Sequence, residues 1–291
     1  MKKKIAVVLL LICTILCLCG CDSTEKDYNS AEKLFESGEY KEALELYSQI
    51  GDYEDSVEKI AICEKEIAMR ENADYDFLEA IEKSVLGRMT ASDNEDYANL
   101  VNTELVYLEE FQDRTFYDEK LHEVANKYIE GLYIQKDSLS ESWQSEHQIK
   151  WQRGLVCREE ALKELYEQYD FMKDNTEFVA SYISDYEDNK SLLVAYETID
   201  ADIDGQLSSE EFQWTLDEYE MWCIVNNNTD YEFSTVYEIS FYNSDGIMFE
   251  STQAYIPNIK PHSSYKVSEY ISDSYQVAGF EWNNYYTEVI Y

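Results

Sequence analysis

Apolar residues recur at three- and four-residue spacing from about Asn29 to Ile199, then alternate or cluster with β-branched and aromatic residues after Met221. The first texture predicts amphipathic helices and the second predicts strands. Ala31, Leu34 and Phe35 lie on one face of a first helix that Gly38 breaks. Ala43, Leu44, Tyr47 and Ile50 stripe a second helix from Tyr40 to Gly51, and Val57, Ile60, Ala61, Ile67 and Ala68 stripe a third. Between Tyr53 and Ile199 there is no proline, and the only glycines before the loop at Asp200 are Gly87, Gly131 and Gly154. That stretch reads as antiparallel helices at about 75–88, 95–113, 118–137, 140–170 and 176–187, with Leu121, Val124, Tyr128, Leu132 and Tyr133 as a core stripe. Beyond it, the runs MWCIV, STVYEISFY, GIMFESTQAYI, YKVSEYI and YYTEVIY are separated by Asn226-Asn227-Asn228, Asn243-Ser244-Asp245-Gly246, the Pro257–Pro261 loop and Asn283-Asn284. The expected architecture is a helical stack or bundle followed by a small antiparallel β-sandwich over 220–291.

The first twenty residues have a different pattern. Lys2-Lys3-Lys4 precede an apolar run from Ile5 to Leu18, which closes as Leu18-Cys19-Gly20-Cys21 and turns polar at Asp22. The run is too short and wrongly flanked for a membrane span, and it reads as a signal peptide. Its end resembles a bacterial lipobox, although Cys19 stands where Ala or Ser is usual. The resemblance implies removal of residues 1–20, a lipid on Cys21, and anchoring to the outer face of a cell membrane through that lipid. Residues 21–28 then read as a polar tether.

Two further resemblances concern the body of the chain. AEKLFESGEYKEALELYSQI resembles a tetratricopeptide repeat: Ala31 takes the small-residue position, Gly38 the turn, and Tyr40, Ala43 and Tyr47 the second helix. The Trp and Pro of the full pattern are missing. One repeat cannot bury its own apolar face, so residues 29–72 are expected to stack on a helical bundle over 73–199. VYEISFYNSDGIMFES, with the Ile-Pro…Lys-Pro loop that follows, resembles FxLYD-like modules of bacterial surface proteins. That implies an immunoglobulin-like fold and no particular chemistry.

Charge narrows the partners. The 291 residues carry 23 Lys+Arg against 61 Asp+Glu, a net charge of -38, and loss of the leader removes three of the cations. Nucleic-acid binding draws on basic surface, so no nucleic-acid partner is expected. Once the leader and Cys21 are set aside, Cys63, Cys157 and Cys223 remain, too few and too far apart for a disulfide framework or a metal knuckle. They are expected to be buried, inert thiols.

The sharpest candidate chemistry is Asp200-Ala201-Asp202-Ile203-Asp204-Gly205-Gln206-Leu207-Ser208-Ser209-Glu210-Glu211. Calcium takes six to eight hard oxygens from a sharply turned chain. Asp200, Asp202 and Asp204 offer three carboxylates, Gly205 a turn, Gln206 a carbonyl, Ser208 a bridging water and Glu211 two closing oxygens. The segment resembles an EF-hand loop, with Leu192, Tyr196 and Ile199 striping an entering helix and Phe212, Leu216 and Tyr219 an exiting one. The expectation is one weakly bound Ca2+ at 200–211, setting the angle between the helices and the sandwich.

Catalytic patterns are weak. His122-Glu123 begins a zincin motif, but Asn126 stands where the second His belongs, and no GxSxG or phosphate-cradling glycine motif occurs. The expected role is therefore non-enzymatic binding of a protein or cell-envelope partner. The alternative is a receptor for a small ligand or glycan, using the 26 Tyr side chains as stacking surfaces.

Overall fold

The computed structural model describes residues 23–89, 96–140, 145–169, 171–209, 212, 214–217, 219–272 and 276–290. Helices come first and two small antiparallel sheets follow, in the α-then-β order expected. The described residues fall into two compact units, one ending at Glu79 and including Asp113–His122, the other comprising Ala80–Gln112 and the chain from Glu123 on.

The first unit begins with helix α1 over 23–36, so residues 23–28 are helical where a tether was expected. Tyr28 anchors that turn: its ring meets Tyr47 and Tyr53 edge-on, and its hydroxyl donates to Asp55 at 2.5 Å. Helices α2 (Tyr40–Ile50) and α3 (Ser56–Glu71) follow, and Ala31, Ala43, Tyr47 and Cys63 form the centre of the core. Gly38 has φ +77°, which explains why glycine ends the first helix. Farther on, the fully buried carboxylate of Asp74 accepts from the backbone N–H groups of Tyr117 (2.8 Å) and Asp118 (2.9 Å). One side chain thus holds the 113–122 segment to the start of helix α4 (Asp74–Met89).

In the second unit, helices α5 (Tyr97–Leu108), α6 (Glu119–Ser138) and α7 (Ser145–Gln168) surround a buried polar network. Nη2 of Arg158 donates to both Glu104 oxygens at 2.8 and 2.9 Å and to the Tyr128 hydroxyl at 2.8 Å, while Nη1 donates to Gln135 at 2.7 Å. Glu104 also accepts from Arg88, Ser84 and Tyr128. A buried carboxylate is tolerated only when its lone pairs are used in this way. The helices approach closely at Gly131 and Gly154, where a Cβ on either residue would lie 2.7 or 2.6 Å from the other's carbonyl oxygen. Of the expected α6 stripe, Tyr133 is the exception, being 38% exposed.

Helix α8 (Thr176–Leu207) is 32 residues long, where a helix ending near 187 was expected. It lies along α7 through Arg153–Glu197 (2.7 Å) and a ladder in which Gln152 donates to Asn189, and Asn189 to both oxygens of Glu159.

Strands β1 (Thr215–Asp217), β2 (Glu220–Asn226) and β5 (Ser264–Tyr270) form one sheet in the order β1-β2-β5. Strands β3 (Glu232–Tyr242), β4 (Met248–Ile259) and β6 (Gly279–Ile290) form the other in the order β4-β3-β6. Every pairing is antiparallel. Met221, Cys223 and Val225 alternate inward on β2 and meet Phe233, Tyr237, Ile239 and Phe241 of β3 in one sandwich core. Asn283-Asn284, expected in a turn, lie inside β6. The segment expected to form an exiting helix instead contributes β1, paired Thr215↔Trp222 with β2.

Burial pushes the Glu159 carboxyl up from its ordinary 4.5 to about 7, outweighing the two bonds from Asn189. The folded protein therefore holds this proton more tightly than the unfolded chain. The contribution of Glu159 to stability is complete below about pH 4.5 and is lost as pH rises through about 7. Glu159→Gln keeps an acceptor for Asn189 and removes the titration. Thermal melts at a series of pH values should show the variant gaining on the native protein between pH 5 and pH 8. A melting difference that stays constant over that range would show that Glu159 ionises as freely in the fold as outside it.

Candidate functional site

The segment read as a calcium loop is not a loop over Asp200–Leu207, which form the last two turns of α8. Successive residues of a helix are turned by about 100°. Ile199, Ile203 and Leu207 therefore share a face with Leu192, Ala195 and Tyr196. That face closes the sandwich: Ala195, Ile199 and Ile203 are buried in the same core as β2 and β3, with Leu192, Tyr196 and Leu207 packed at its margin. Gly205 has no positive φ, and a Cβ added there would meet nothing within 4 Å. It is an exposed helical glycine, not the glycine of a tight turn.

Helical geometry also separates the proposed ligands. Asp200 and Asp204 lie on one flank of the buried face, Asp202 and Gln206 on the other. Asp202 accepts from the Asn228 backbone N–H at 3.0 Å and from its side-chain amide at 2.8 Å. Gln206 accepts from the Asn226 N–H at 2.9 Å and donates to the Asn226 carbonyl at 2.6 Å. This pair satisfies both backbone groups of the last residue of β2. Ser208 is exposed, and its backbone N–H closes the helix on the Asp204 carbonyl at 2.9 Å. Glu211 and Cys21 lie outside the described residues. Among the described residues, no three acidic, histidine or cysteine side chains converge as they would around a metal ion.

In this conformation the described members of the set stand on two flanks of a helix, and magnitudes explain why the helix prevails over the loop. An EF-hand would require unwinding after Ile199, which withdraws Ile203 and Leu207 from the core and breaks both contacts to the β2–β3 turn. Each such side chain contributes about 1.5–3 kcal/mol when fully buried. A weak site at ten times its Kd returns only about 1.4 kcal/mol.

The end of α8 instead borders two clefts. The first, of about 490 Å³, is lined by Lys150 and Arg153 of α7, Asp200 and Asp204 of α8, and Trp282 and Asn284 of β6, among others. Asp200 accepts from the Asn284 amide at 3.2 Å. Burial, and then the charge of Asp200, push the Asp204 carboxyl upward. Trp282 is held in place by Trp214 at 4.2 Å and by the edge-on ring of Tyr237 at 5.3 Å. The second cleft, of about 500 Å³, runs from Gln206 and Asn226 to Phe212, Trp222 and Ile224 on the outer face of the β1-β2-β5 sheet. Lys266 lies over the Trp222 ring at 4.8 Å.

None of Lys150, Arg153, Trp222 or Trp282 belongs to a motif, and sequence reading passed over them. Cys63 and Cys223 are buried as expected, whereas Cys157 is only half-buried; burial raises all three thiols. Among the described residues, no helix is long and apolar enough to cross a membrane. No protein-family model, curated protein or solved structure matches the chain.

Gly205 separates the two conformations experimentally. If 200–207 are helical, Gly205→Ala should stabilise the protein by about 0.5–1 kcal/mol, while Ile203→Ala should cost about 2–5 kcal/mol. Chemical denaturation followed by circular dichroism measures both. A destabilised Gly205→Ala variant, with helix content falling on addition of calcium, would restore the loop.

Proposed function

We propose that this protein is a lipid-anchored, extracytoplasmic binding protein that holds a protein or envelope partner against the outer face of its β1-β2-β5 sheet. The anchor rests on the leader, in which a tri-lysine, a short apolar run and the Leu18-Cys19-Gly20-Cys21 terminus stand in order. The observation that carries the binding role is the groove beside Trp222. It places a tryptophan, the 43% exposed Ile224 and Phe212 next to the polar end of α8. Exposed apolar groups gathered beside a polar rim are the usual make-up of a protein-binding surface. Tyr219 and Tyr270 extend the patch, stacked at 6.1 Å with 19° between their planes and both more than half exposed. That flat pair favours the second reading, a glycan ligand stacked on aromatic faces. Nothing in this role calls for catalysis.

Two measurements test the proposal. Cys21→Ser should abolish incorporation of a clickable fatty acid and release the protein from the membrane fraction; label retained in the variant would remove the anchor. A photo-crosslinking residue at position 224 should capture a specific envelope component that the same residue at exposed position 57 does not. Equal labelling from both positions would remove the groove from the argument.

A further inference from the structure

A cavity of about 260 Å³ lies between the end of α4 and helix α5, within the second unit. Lys83, Gly87 and Arg88 line it from α4, and Leu100, Thr103 and Tyr107 from α5. Buried Glu104 lines it too, and its oxygens are already in use. Arg158 donates to both of them, and Ser84 and Tyr128 each donate to one. A carboxylate has about four lone-pair sites, so these donors are enough for it. Arg88 adds a further bond from Nη1 at 3.0 Å and is only 17% exposed. No hydrogen bond among the described residues uses its other N–H groups. Two guanidiniums thus share one carboxylate. Among the described residues the other buried carboxyl of this unit is Glu159, which burial pushes up to about 7, so below that pH it is mostly neutral. The network therefore holds one positive charge more than it cancels, and that surplus borders the cavity. Gly87 stands in the wall with no structural need for glycine: its φ is not positive, and a Cβ there would meet nothing within 4 Å. Glycine is less favourable than alanine in a helix, and what it leaves here is the room of the cavity.

We propose that this cavity binds a small carboxylate carrying an apolar group, its oxygens on the guanidinium of Arg88 and its apolar part against Leu100 and Tyr107. A guanidinium matches a planar two-oxygen acceptor, and such charge-assisted bonds are strongest where water is partly excluded. The ligand's charge balances the surplus cation of the network, which a neutral ligand cannot do. The net charge of -38 is spread over the whole chain, and at physiological salt charges beyond about 8 Å are largely screened, so the local surplus decides. Leu100 is half-buried and Tyr107 is 55% exposed, an apolar wall of no use to an inorganic anion. A volume of about 260 Å³ lies below the range of roughly 300–1,000 Å³ usual for drug-sized ligands, which suits an acid with one ring or a short chain and not a peptide. This goes beyond the binding role proposed above. It uses neither the lipid anchor nor the groove at Trp222, so either proposal can fail without the other.

Calorimetric titration of the full chain with benzoate, benzamide and inorganic phosphate, at about pH 6 where Glu159 is mostly protonated, decides the matter. Benzoate should give saturable heat with a Kd at or below about 1 mM. Benzamide and phosphate should each bind about tenfold more weakly or worse. Arg88→Gln should weaken benzoate by about tenfold or more, while Glu104 keeps its bonds from Arg158, Ser84 and Tyr128. Gly87→Leu should abolish benzoate binding by filling the cavity. Leucine is a better helix former than glycine, so this variant carries the test even where Arg88→Gln folds poorly. Benzamide or phosphate bound as tightly as benzoate, benzoate binding that survives either substitution, or no saturable heat from benzoate at about 10 mM would each overturn the assignment.

Discussion

Ile199 and Ile203 sit where helix α8 stops being part of a helical bundle and becomes part of a β-sandwich, and the second unit depends on that burial. Among the described residues neither sheet has more than three strands, and a sheet so small gains little until its apolar face is covered. The stripe Ala195–Ile199–Ile203 supplies part of the cover, in one core with Phe233, Tyr237 and Val267. The same helix is bound to α7 farther back, through Arg153–Glu197 and the Gln152–Asn189–Glu159 ladder. Because α8 is continuous, its register against α7 and its register against the sandwich cannot change independently. Both walls of the 490 Å³ cleft are fixed by that coupling.

Polar side chains complete what the apolar stripe begins, and two glutamines do so in the same way. Gln148 of α7 donates to the Thr287 carbonyl at 2.8 Å and accepts from the Thr287 N–H at 3.2 Å; Gln206 of α8 makes the equivalent pair with Asn226. A side-chain amide has the donor and acceptor of a peptide group, so each glutamine satisfies strand backbone that would otherwise be left for another chain to pair with. Buried Asn227 does similar work in the turn between β2 and β3, donating to the carbonyls of Tyr231 and Ile259 and accepting from Thr229. Helices and sheets are thus joined by hydrogen bonds whose geometry tolerates one register, laid over apolar contacts that would tolerate several.

The α-then-β order was legible because helical and strand periodicities differ and switch near Met221. Helices α2 to α7 fall close to their expected limits for the same reason. The expectation of a loop at 200–207, where the chain is helical, has an equally physical origin. Alternating Asp at 200, 202 and 204 matches a loop, yet Ile199, Ile203 and Leu207 recur every four residues straight through it, and that stripe was the signal to weigh. In an acid-rich chain carboxylates recur without cause, whereas a buried aliphatic every fourth residue has to be placed somewhere. The cleft was not legible at all, since Lys150, Asp200 and Trp282 meet only once three elements have packed. Asn283-Asn284 resembled a turn because asparagine favours turns, but inside β6 those residues serve the cleft and Asp200.

The excess of acid also accounts for the tyrosines. With 61 carboxylates and 23 cations, most acidic side chains cannot find a Lys or Arg, and 26 Tyr hydroxyls offer the remaining strong donors. Tyr28 donates to Asp55, Tyr47 to Glu32, Tyr75 to Glu66, Tyr128 to Glu104 and Tyr242 to Glu281. The bond to the carboxylate is the main reason that the phenols of Tyr28 and Tyr242 are raised above their ordinary value, and at Tyr47 and Tyr75 burial comes first and the bond adds to it, as expected for a donor that must keep its proton beside an anion. A phenol satisfies a carboxylate without neutralising it, so the chain can order its acids and still keep its charge of -38.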